Sequence, residues 1–365
     1  MLPRGLAISA LSESSDSAYS YRITELARGL RDNDIPCDLF FAEDHPPLHK
    51  QTTASLCMFI WLRMLRNYDF IYCGAPMAGQ SLYFVKRLIS GVVILDMHGD
   101  DIAQSALANE IATQGKRTTA SLRVKISYKM AMSAADYWIT QSKYQMADLI
   151  ASGVDKDRVS VVRNGVDLEL FRCIPFPEQP IYTFAYVGAF QVWQGIDNLV
   201  SAFERIKNNS VRMLMVGFKP EDSRLKNMLV QKFGDRVTLV DMVDRQRLLE
   251  LLGSAAIMLS ARPGHIASRA AFPTKFAEYA AVGRPILVTR VDETAEFVEQ
   301  YHCGFVSEPN AEALAGAMEE AADTSWETLR EMGLRARKMA EEHFSWPKIA
   351  KDYARLILQI TGSKK

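Results

Sequence analysis

A lysine and a glutamate lie three residues apart in the segment AFPTKFAEYAAVGRP, Ala271 to Pro285. If the segment is helical, this spacing puts Lys275 and Glu278 on neighbouring positions of one face. A lysine at a helix start can bind a phosphate, and a glutamate one turn further can accept hydrogen bonds from both hydroxyls of a ribose. A surface ion pair, stabilising by roughly 0.3–0.5 kcal/mol, is the alternative. The pair by itself leaves both interpretations open.

The residues around this pair predict the limits of the helix. Pro273 suits the first helical position, and Gly283 suits the position just beyond the C-terminus. We therefore expect a helix over residues 273–282. The backbone N–H groups of Thr274 and Lys275 would have no partner inside this helix, so together with the helix dipole they could bind a diphosphate.

The rest of the chain must supply the elements that position this helix. Short apolar runs alternate with amphipathic stretches along all 365 residues, which predicts parallel strands joined by crossover helices, an α/β fold. The length suits two domains, and the proline-dense stretch CIPFPEQPIY predicts a connector at about residues 172–180. We expect domains at 1–172 and 180–344, with a C-terminal helix at about 345–365 that crosses back to the first domain.

The composition excludes several classes of protein. The 43 Lys and Arg residues balance 43 Asp and Glu residues, which argues against a nucleic-acid partner. Five scattered cysteines without a CxxC pair indicate neither a disulfide framework nor a zinc site. The longest apolar run, residues 56–62, is far shorter than the roughly 20 residues of a membrane span, and the N-terminus lacks a signal-peptide pattern. We expect a cytoplasmic protein.

The stretch LDMHGDD follows the fourth predicted strand of the first domain. Ligand-binding residues collect at the carboxyl ends of strands in such sheets, so His98 and Asp100 are candidates for the edge of a cleft. A purely structural role for His98 is the alternative. The Asp-x-His spacing is also similar to the start of a metallophosphoesterase, but the Asn-His and His-x-His elements of a dinuclear site are missing. We expect no metal site.

The segment from Ala271 to Pro285 resembles the donor site of the family 4 glycosyltransferases, which have the GT-B fold. Seven positions match the family's pattern: Pro273, Lys275, Glu278, Tyr279, Ala281, Gly283 and Pro285. An Asn-Gly-Val-Asp segment, a loop at Gly188 and the strand MLMVGF, which contains Gly217, also occur in the family's order, so the resemblance covers nearly the whole chain. It implies two Rossmann-like domains that face each other across a cleft, with Gly188 and Gly217 at the donor.

The resemblance also implies an activity. The protein would transfer a sugar from a nucleotide-sugar donor to a glycan, a lipid-linked or a small-molecule acceptor, with retention of configuration and without a metal or other cofactor. Glu278 would hold the ribose, while the helix start at Pro273 and Thr274 would hold the diphosphate. His98 would contact the donor sugar at the reacting centre, with Asp100 on the acceptor side.

This chain departs from the family at three charged positions. Relatives carry an arginine, a lysine and a glutamate where this chain has Ala189, Gln194 and Ala270. Negative charge that develops on a departing diphosphate must still be stabilised. Lys275 is the first candidate for this role, and Arg269 or Arg262 is the second. The alternative for each arginine is a solvated loop cation.

Acceptor contacts are expected in the loop after the first strand, where Ser14 and Ser15 replace the glycines of many relatives. Residues 115–132 carry five basic and no acidic side chains, and residues 53–67 combine an apolar body with two arginines. Such segments can rest on an anionic membrane surface, so peripheral contact with the inner membrane face is a further expectation. A solvated helix face is the alternative.

Two other functions remain open at this point. A nucleotide-sugar epimerase shares the GT-B architecture, and the missing charges are compatible with a degenerate protein that binds nucleotide-sugars without catalysis. Turnover distinguishes these functions, because only a transferase needs an acceptor.

Overall fold

The structure is a computed structural model that describes residues 2–9, 18–41, 68–74, 76–112, 121–190 and 192–362. The chain divides into two compact units: Met1–Gly165 together with Trp346–Lys365, and Val166–Ser345. Among the described residues, each unit contains one six-stranded parallel sheet. Because parallel strands need crossover connections, helices cover the faces of each sheet, as the alternating sequence pattern predicts.

The first unit has the strand order β2-β1-β3-β4-β5-β6. Its strands are β1 (Gly5–Ser9), β2 (Cys37–Phe41), β3 (Phe70–Gly74), β4 (Val92–Met97), β5 (Tyr137–Thr140) and β6 (Val159–Val161). Its helices are α1 (Ala18–Asp32), α2 (Pro76–Tyr83), α3 (Asp101–Ala112), α4 (Leu122–Ala134), α5 (Lys143–Ala151) and the C-terminal α14 (Trp346–Gly362). Strands β1, β3 and β4 are buried along their whole length, which explains their continuous apolar sequences.

The second unit has the strand order β12-β11-β10-β7-β8-β9. Its strands are β7 (Tyr182–Val187), β8 (Met213–Phe218), β9 (Val237–Asp241), β10 (Ala255–Ser260), β11 (Ile286–Thr289) and β12 (Gly304–Ser307). Its helices are α6 (Ile196–Arg205), α7 (Ser223–Phe233), α8 (Arg245–Gly253), α9 (Ile266–Arg269), α10 (Thr274–Ala281), α11 (Thr294–Tyr301), α12 (Ala311–Asp323) and α13 (Trp326–His343).

The C-terminal helix packs on the first unit, as the sequence predicts. Trp346, Ile349 and Tyr353 of α14 belong to the apolar core that includes Ile23 and Leu26 of α1. The amphipathic pattern of this helix buries one face against α1, and that burial holds the last helix on the first sheet.

The boundary between the units differs from the predicted connector at 172–180. Val166 N–H donates a 2.7 Å hydrogen bond to the carbonyl of Phe344, and Phe171 is buried in the apolar core of the second unit. The Arg337 guanidinium also donates a 2.9 Å hydrogen bond to the Phe171 carbonyl. These contacts place residues 166–171 in the second unit, although no proline or glycine cluster precedes them in the sequence.

Helix α10, which carries Lys275 and Glu278, begins one residue later than predicted. Pro273 has an extended backbone, with φ −72° and ψ 121°, so it is the residue before the first helical position. Gly283 has φ +75° and follows the C-terminal Val282, as expected for a glycine that ends a helix. Among the described ranges, no helix combines the length and the apolar character needed to span a bilayer.

Candidate active site

The strand order of the second sheet locates a ligand-binding edge. The chain order reverses between the neighbouring strands β7 and β10, because β8 and β9 continue on one side and β11 and β12 on the other. Open α/β sheets bind ligands outside the carboxyl ends of the strands at such a reversal. Gly188 directly follows β7, and residues 261–273 connect β10 to α10. The glycine loop and the start of α10 therefore lie at this edge.

Glycines make the backbone at this edge close-packed. Gly188 has φ +132° and Gly217 has φ +115°, a region that favours glycine. A Cβ atom on Gly217 would lie 2.8 Å from the carbonyl oxygen of Gly188, and one on Gly195 would lie only 1.8 Å from that of Ala261. The end of β8 can approach Gly188 this closely because Gly217 lacks a side chain.

Lys275 points its ammonium group at this glycine loop. Its Nζ donates a 2.8 Å hydrogen bond to Oε1 of Gln194 and lies 4.2 Å from the centre of the Tyr186 ring. A Cβ atom on Gly188 would lie 3.7 Å from the same Nζ. The hydrogen-bond acceptor of Lys275 is thus a neutral amide at one of the positions where relatives carry a cation. The sequence identified Gln194 only as a lost charge, and it missed Tyr186.

Burial moves the pKa values of both motif residues toward neutrality. Burial, together with the nearby Arg262 guanidinium, lowers the pKa of Lys275 to about 7. Burial raises the pKa of Glu278 to about 6, although the positive charges of Arg245 and Lys275 oppose this shift. Arg245, the first residue of α8, belongs to no sequence motif, so the sequence did not identify it. Near pH 6.5 both groups can therefore exchange protons when a charged ligand arrives.

Tyr279 of the motif fixes α10 to the end of β7. Its hydroxyl accepts a 2.8 Å hydrogen bond from Val187 N–H and lies 3.2 Å from the Val187 carbonyl, to which it donates. The ring is 1% exposed. Because Val187 precedes Gly188, Tyr279 holds the helix that carries Lys275 and Glu278 in register with the glycine loop.

The environment of the Arg262 side chain differs from the expectation that this side chain faces a diphosphate. Its side chain is buried, and its Nη1 donates hydrogen bonds of 2.7 Å to Asp292 and 2.8 Å to the Ala271 carbonyl. The hydroxyl of Thr289, the last residue of β11, donates to the Arg262 carbonyl at 2.6 Å. Arg262 is therefore a buried ion-pair partner that fastens the β10 loop to the end of β11, and it is not a solvated loop cation.

The rest of the loop between β10 and α10 lies around the short helix α9, which includes the candidate Arg269. His265 Nδ1 accepts a 3.1 Å hydrogen bond from Ala267 N–H, which caps this helix, and Arg269 ends it as a half-buried side chain. Thr274 opens α10 after Pro273, with a half-buried side chain. The donor-binding roles of Arg269, Thr274 and Pro273 stay predictions. Ala270, the position of a glutamate in relatives, is buried.

In the first unit, His98 belongs to a buried polar network built on Asp96. Arg22 donates to both carboxylate oxygens of Asp96, at 2.6 Å from Nε and 3.3 Å from Nη2, and the Tyr72 hydroxyl donates to the same carboxylate. Burial would raise the pKa of Asp96, but Arg22 and His98 hold it well below its usual range. The network thus keeps a charged carboxylate in the centre of the first unit.

The same network closes into a ring through two amide side chains. Arg22 Nη1 donates to Asn164 Oδ1 at 3.2 Å, and Asn164 Nδ2 donates to Gln141 Oε1 at 3.1 Å. Because the guanidinium can only donate, it fixes the orientation of both amides, so Gln141 Nε2 faces His98 Nδ1 at 3.0 Å. His98 Nδ1 must then accept, and the ring proton lies on Nε2, 3.1 Å from Asp96 Oδ2.

His98 is consequently engaged on several sides. Its Nδ1 pairs with Gln141, the Tyr19 ring stacks on it with centroids 4.2 Å apart, and the residue is 8% exposed. The buried Nε2 lies near Asp96 but forms no hydrogen bond with the described residues. Asp100 Oδ1 accepts a 2.8 Å hydrogen bond from Ala103 N–H and so caps α3. The catalytic role of His98 and the acceptor role of Asp100 stay predictions. Ser14 and Ser15 lie outside the described residues.

Comparison with known proteins adds to this geometry. Residues 20–170 match the family model described as Glycosyltransferase Family 4, and residues 181–324 match Glycosyl transferases group 1. D-inositol 3-phosphate glycosyltransferase of Xylanimonas cellulosilytica is 25% identical over 314 residues, which cover 79% of this chain and 72% of that protein.

Two solved structures show the same fold. Sucrose-phosphate synthase from Thermosynechococcus elongatus superimposes with a TM-score of 0.79 at 19% identity, over 99% of this chain and 100% of the other. HepE of Anabaena, in complex with UDP-glucose, gives a TM-score of 0.72 at 16% identity, over 98% and 100%. The chain is therefore a glycosyltransferase of the GT-B fold that combines a Glycosyltransferase Family 4 domain with a group 1 glycosyl transferase domain.

Proposed function

We propose that this protein transfers a glycosyl group from a nucleoside diphosphate sugar to an acceptor hydroxyl, and that the donor binds at the carboxyl edge of the second sheet. One observation carries the proposal: α10 presents Lys275 and Glu278 on one face, and the Lys275 ammonium lies next to Gly188. The UDP-glucose complex of the Anabaena protein supports a donor of this class.

The two charged residues divide the donor between them. The diphosphate accepts hydrogen bonds from the Lys275 ammonium and from the first N–H groups of α10, where the helix dipole favours negative charge. Its charge replaces the neutral amide of Gln194 as the partner of Lys275. Glu278, one turn further, accepts hydrogen bonds from the ribose hydroxyls. The positive charge of Arg245 opposes the rise that burial causes in the pKa of Glu278, and so favours the ionised carboxylate for that contact.

The transfer itself breaks the bond between the anomeric carbon and the phosphate oxygen, and the bonding electrons stay on the diphosphate. The acceptor oxygen forms the new bond to the anomeric carbon on the same face, and its proton passes to the departing phosphate, so the configuration is retained. Lys275 stabilises the charge on that phosphate. His98 remains our candidate for contact with the donor sugar.

The acceptor is proposed to be a glycan, a lipid-linked molecule or a small molecule, reached in the cytoplasm at the inner face of a membrane. The curated relatives include a putative colanic acid biosynthesis glycosyltransferase of Salmonella typhimurium, which supports a role in glycan biosynthesis. We propose that no metal takes part, and an unchanged transfer rate after EDTA treatment is the expected result.

A thermal-shift screen against UDP-, GDP-, ADP- and dTDP-glucose identifies the base, because a ligand that binds the native state raises the unfolding temperature. Calorimetry with the best donor then tests the site. We expect Lys275→Ala to lose a charge-assisted contact worth roughly 1.5–3 kcal/mol, so that Kd rises about 10- to 150-fold. Lys338→Ala, which removes a lysine on the exposed face of α13, is the matched control and should leave Kd unchanged.

Three outcomes separate the alternatives. An unchanged donor Kd in both Lys275→Ala and Glu278→Ala would refute the proposed donor site. Epimerisation of the donor sugar without any acceptor would identify an epimerase. Tight donor binding without sugar transfer or donor hydrolysis, in any acceptor mixture, would identify a non-catalytic binder.

A further inference from the structure

Helix α4 of the first unit exposes apolar side chains in the middle of a basic face. Leu122 is 73% exposed and Ile126 is 50% exposed, although both are large apolar residues. With 3.6 residues per turn they lie about 40° apart around the helix axis, so they form one stripe. Lys129 continues this stripe, and Lys125 and Arg123 flank it on either side.

The charges on this face lack acidic partners among the residues that the structure describes. The sequence of α4, LRVKISYKMAMSA, contains no aspartate or glutamate. Within the described part of the chain, Arg123, Lys125 and Lys129 form no ion pair. Unpaired cations around exposed apolar residues fit a surface that is both anionic and able to accept apolar side chains.

Helix α7 of the second unit is as basic as α4, but its charged and apolar side chains are arranged differently. Its sequence, SRLKNMLVQKF, also has three basic and no acidic residues. However, Lys226 pairs with Asp241 at 2.6 Å and Lys232 pairs with Glu204 at 2.7 Å. Its exposed Met228 and Val230 lie about 160° apart around the axis, so they share no face. Two of the three cations on α7 are therefore paired with carboxylates of the protein, whereas none of the three on α4 is paired among the described residues.

The position of α4 also fits an acceptor-side surface. Ala134 ends α4 three residues before β5 begins, so the helix runs antiparallel to the strands, as crossover helices do. Its first turn, with Leu122, therefore lies toward the carboxyl edge of the first sheet. The loop that carries His98 leaves β4 at the same edge.

We propose that the outer face of α4 docks on an anionic lipid bilayer, with Leu122 and Ile126 inserted between the headgroups and Arg123, Lys125 and Lys129 at the lipid phosphates. This inference rests on the proposed function and deepens it, because it names the surface that brings the enzyme to a lipid-linked acceptor. A basic residue near an anionic membrane raises the partition constant about fivefold, so three of them contribute about 100-fold.

Vesicle sedimentation tests this surface with the full-length protein. We expect binding to vesicles of phosphatidylglycerol and phosphatidylethanolamine at 0.1 M salt, weaker binding at 0.5 M salt and little binding to pure phosphatidylcholine. The triple variant R123Q/K125Q/K129Q should bind about 100-fold more weakly, and L122S/I126S at least tenfold more weakly. The matched controls on α7, R224Q/K226Q/K232Q and M228S/V230S, should bind like the wild type.

The outcomes against the proposal are specific. Equal binding to both vesicle types, no binding to either, or equal losses in the α4 and α7 variants would overturn it. A wild-type dimer that L122S/I126S converts into monomers, without vesicle binding, would show that a second copy covers the face. Calorimetry with UDP-glucose separates the two proposals, since the α4 variants should keep the donor affinity of the wild type even if docking is lost.

Discussion

Two regions of this molecule each combine a basic side chain with a carboxylate, and they treat the charges in opposite ways. In the first unit, Arg22 and Asp96 are 1% and 0% exposed and bind each other directly, so the pKa of Asp96 stays well below its usual range. In the second unit, burial lowers the pKa of Lys275 to about 7 and raises that of Glu278 to about 6. The first pair is stabilised by its partners, and the second is held partly neutral.

The difference distinguishes a structural network from a binding site. The side chains of Arg22, Asp96, Asn164 and Gln141 hydrogen-bond to one another in this ring, and removing one leaves its neighbours unsatisfied. Among the described residues, the Lys275 ammonium hydrogen-bonds to a neutral amide and lies over an aromatic face, so an anionic ligand can provide the directly bound negative charge. Such sites cost stability in the free protein, a trade that functional sites commonly show.

The largest expected effect comes from breaking the polar network of Arg22 and Asp96 in the first unit. Asp96→Asn removes the negative charge while the Arg22 guanidinium remains buried, and breaking a buried ion pair costs about 3–5 kcal/mol. Because one kcal/mol shifts the unfolding temperature of a domain of this size by about 2–4 °C, we expect a decrease of about 6–20 °C in a thermal melt. Asp352→Asn, which removes the carboxylate of an exposed pair on α14, is the control and should change it by less than about 2 °C.

The outcome for the ring is informative in both directions. A melt of Asp96→Asn that matches the wild type would show that the ring does not support the first unit. A large loss of donor affinity in the folded variant, measured below its melting temperature, would instead show that the ring acts in the donor site.

Much of the fold could be predicted from the sequence because the signals are local. Alternating apolar and amphipathic segments predicted parallel strands with crossover helices, and Gly283 predicted the end of α10. The boundary near Val166 was missed because a 2.7 Å hydrogen bond to Phe344 determines it, and no local composition marks a contact between residues so distant in the chain.

The sequence motif of the candidate site was predictable, but the residues that contact this motif were less so. The spacing of Lys275 and Glu278 follows from one helix, and the structure puts this helix at the reversal point of the sheet. The partners Gln194 and Tyr186 come from an earlier segment, and Asp292, which holds Arg262, comes from a later one. Such pairings depend on how loops meet at the end of a sheet, and a single sequence does not encode them as a local pattern.

The pH dependence of donor binding gives an effect of intermediate size. The diphosphate needs protonated Lys275, so affinity falls as pH rises above the free pKa of about 7. The ribose needs ionised Glu278, so affinity also falls below its pKa of about 6. We expect the lowest Kd between pH 6 and 7, and a Kd about sixfold higher at pH 8 than at pH 6.5.

Calorimetry from pH 5 to 9, corrected for buffer ionisation, checks this profile. Glu278→Gln should flatten only the low-pH arm, and Lys275→Ala only the high-pH arm. A profile of the wild type that is flat from pH 6 to 8 would contradict the assignment of Lys275 as the titrating group.

The smallest expected effect is a gain in the stability of the protein when the charge of Lys275 is removed. Because the pKa of Lys275 is lowered on folding, the native state binds fewer protons than the unfolded state between about pH 7 and 10, so the wild type becomes more stable as pH rises through this range. Lys275→Met keeps the apolar stem and removes the penalised charge. At pH 6 we expect it to stabilise the free protein by about 1 kcal/mol, or about 2–4 °C in a melt.

The pH dependence of this gain separates charge from packing. At pH 10 the Lys275 side chain of the wild type is already neutral in the native state, so the advantage of Lys275→Met should disappear. Lys338→Met, at an exposed site on α13, should show no such gain at pH 6. A gain that persists unchanged at pH 10 would assign the effect to better packing, and a lower melting temperature at pH 6 would mean that the contact with Gln194 outweighs the burial of the charge. The expected pattern, higher stability together with lost donor affinity, would show that this region of the molecule is held away from its stability optimum by the charge that binds the donor.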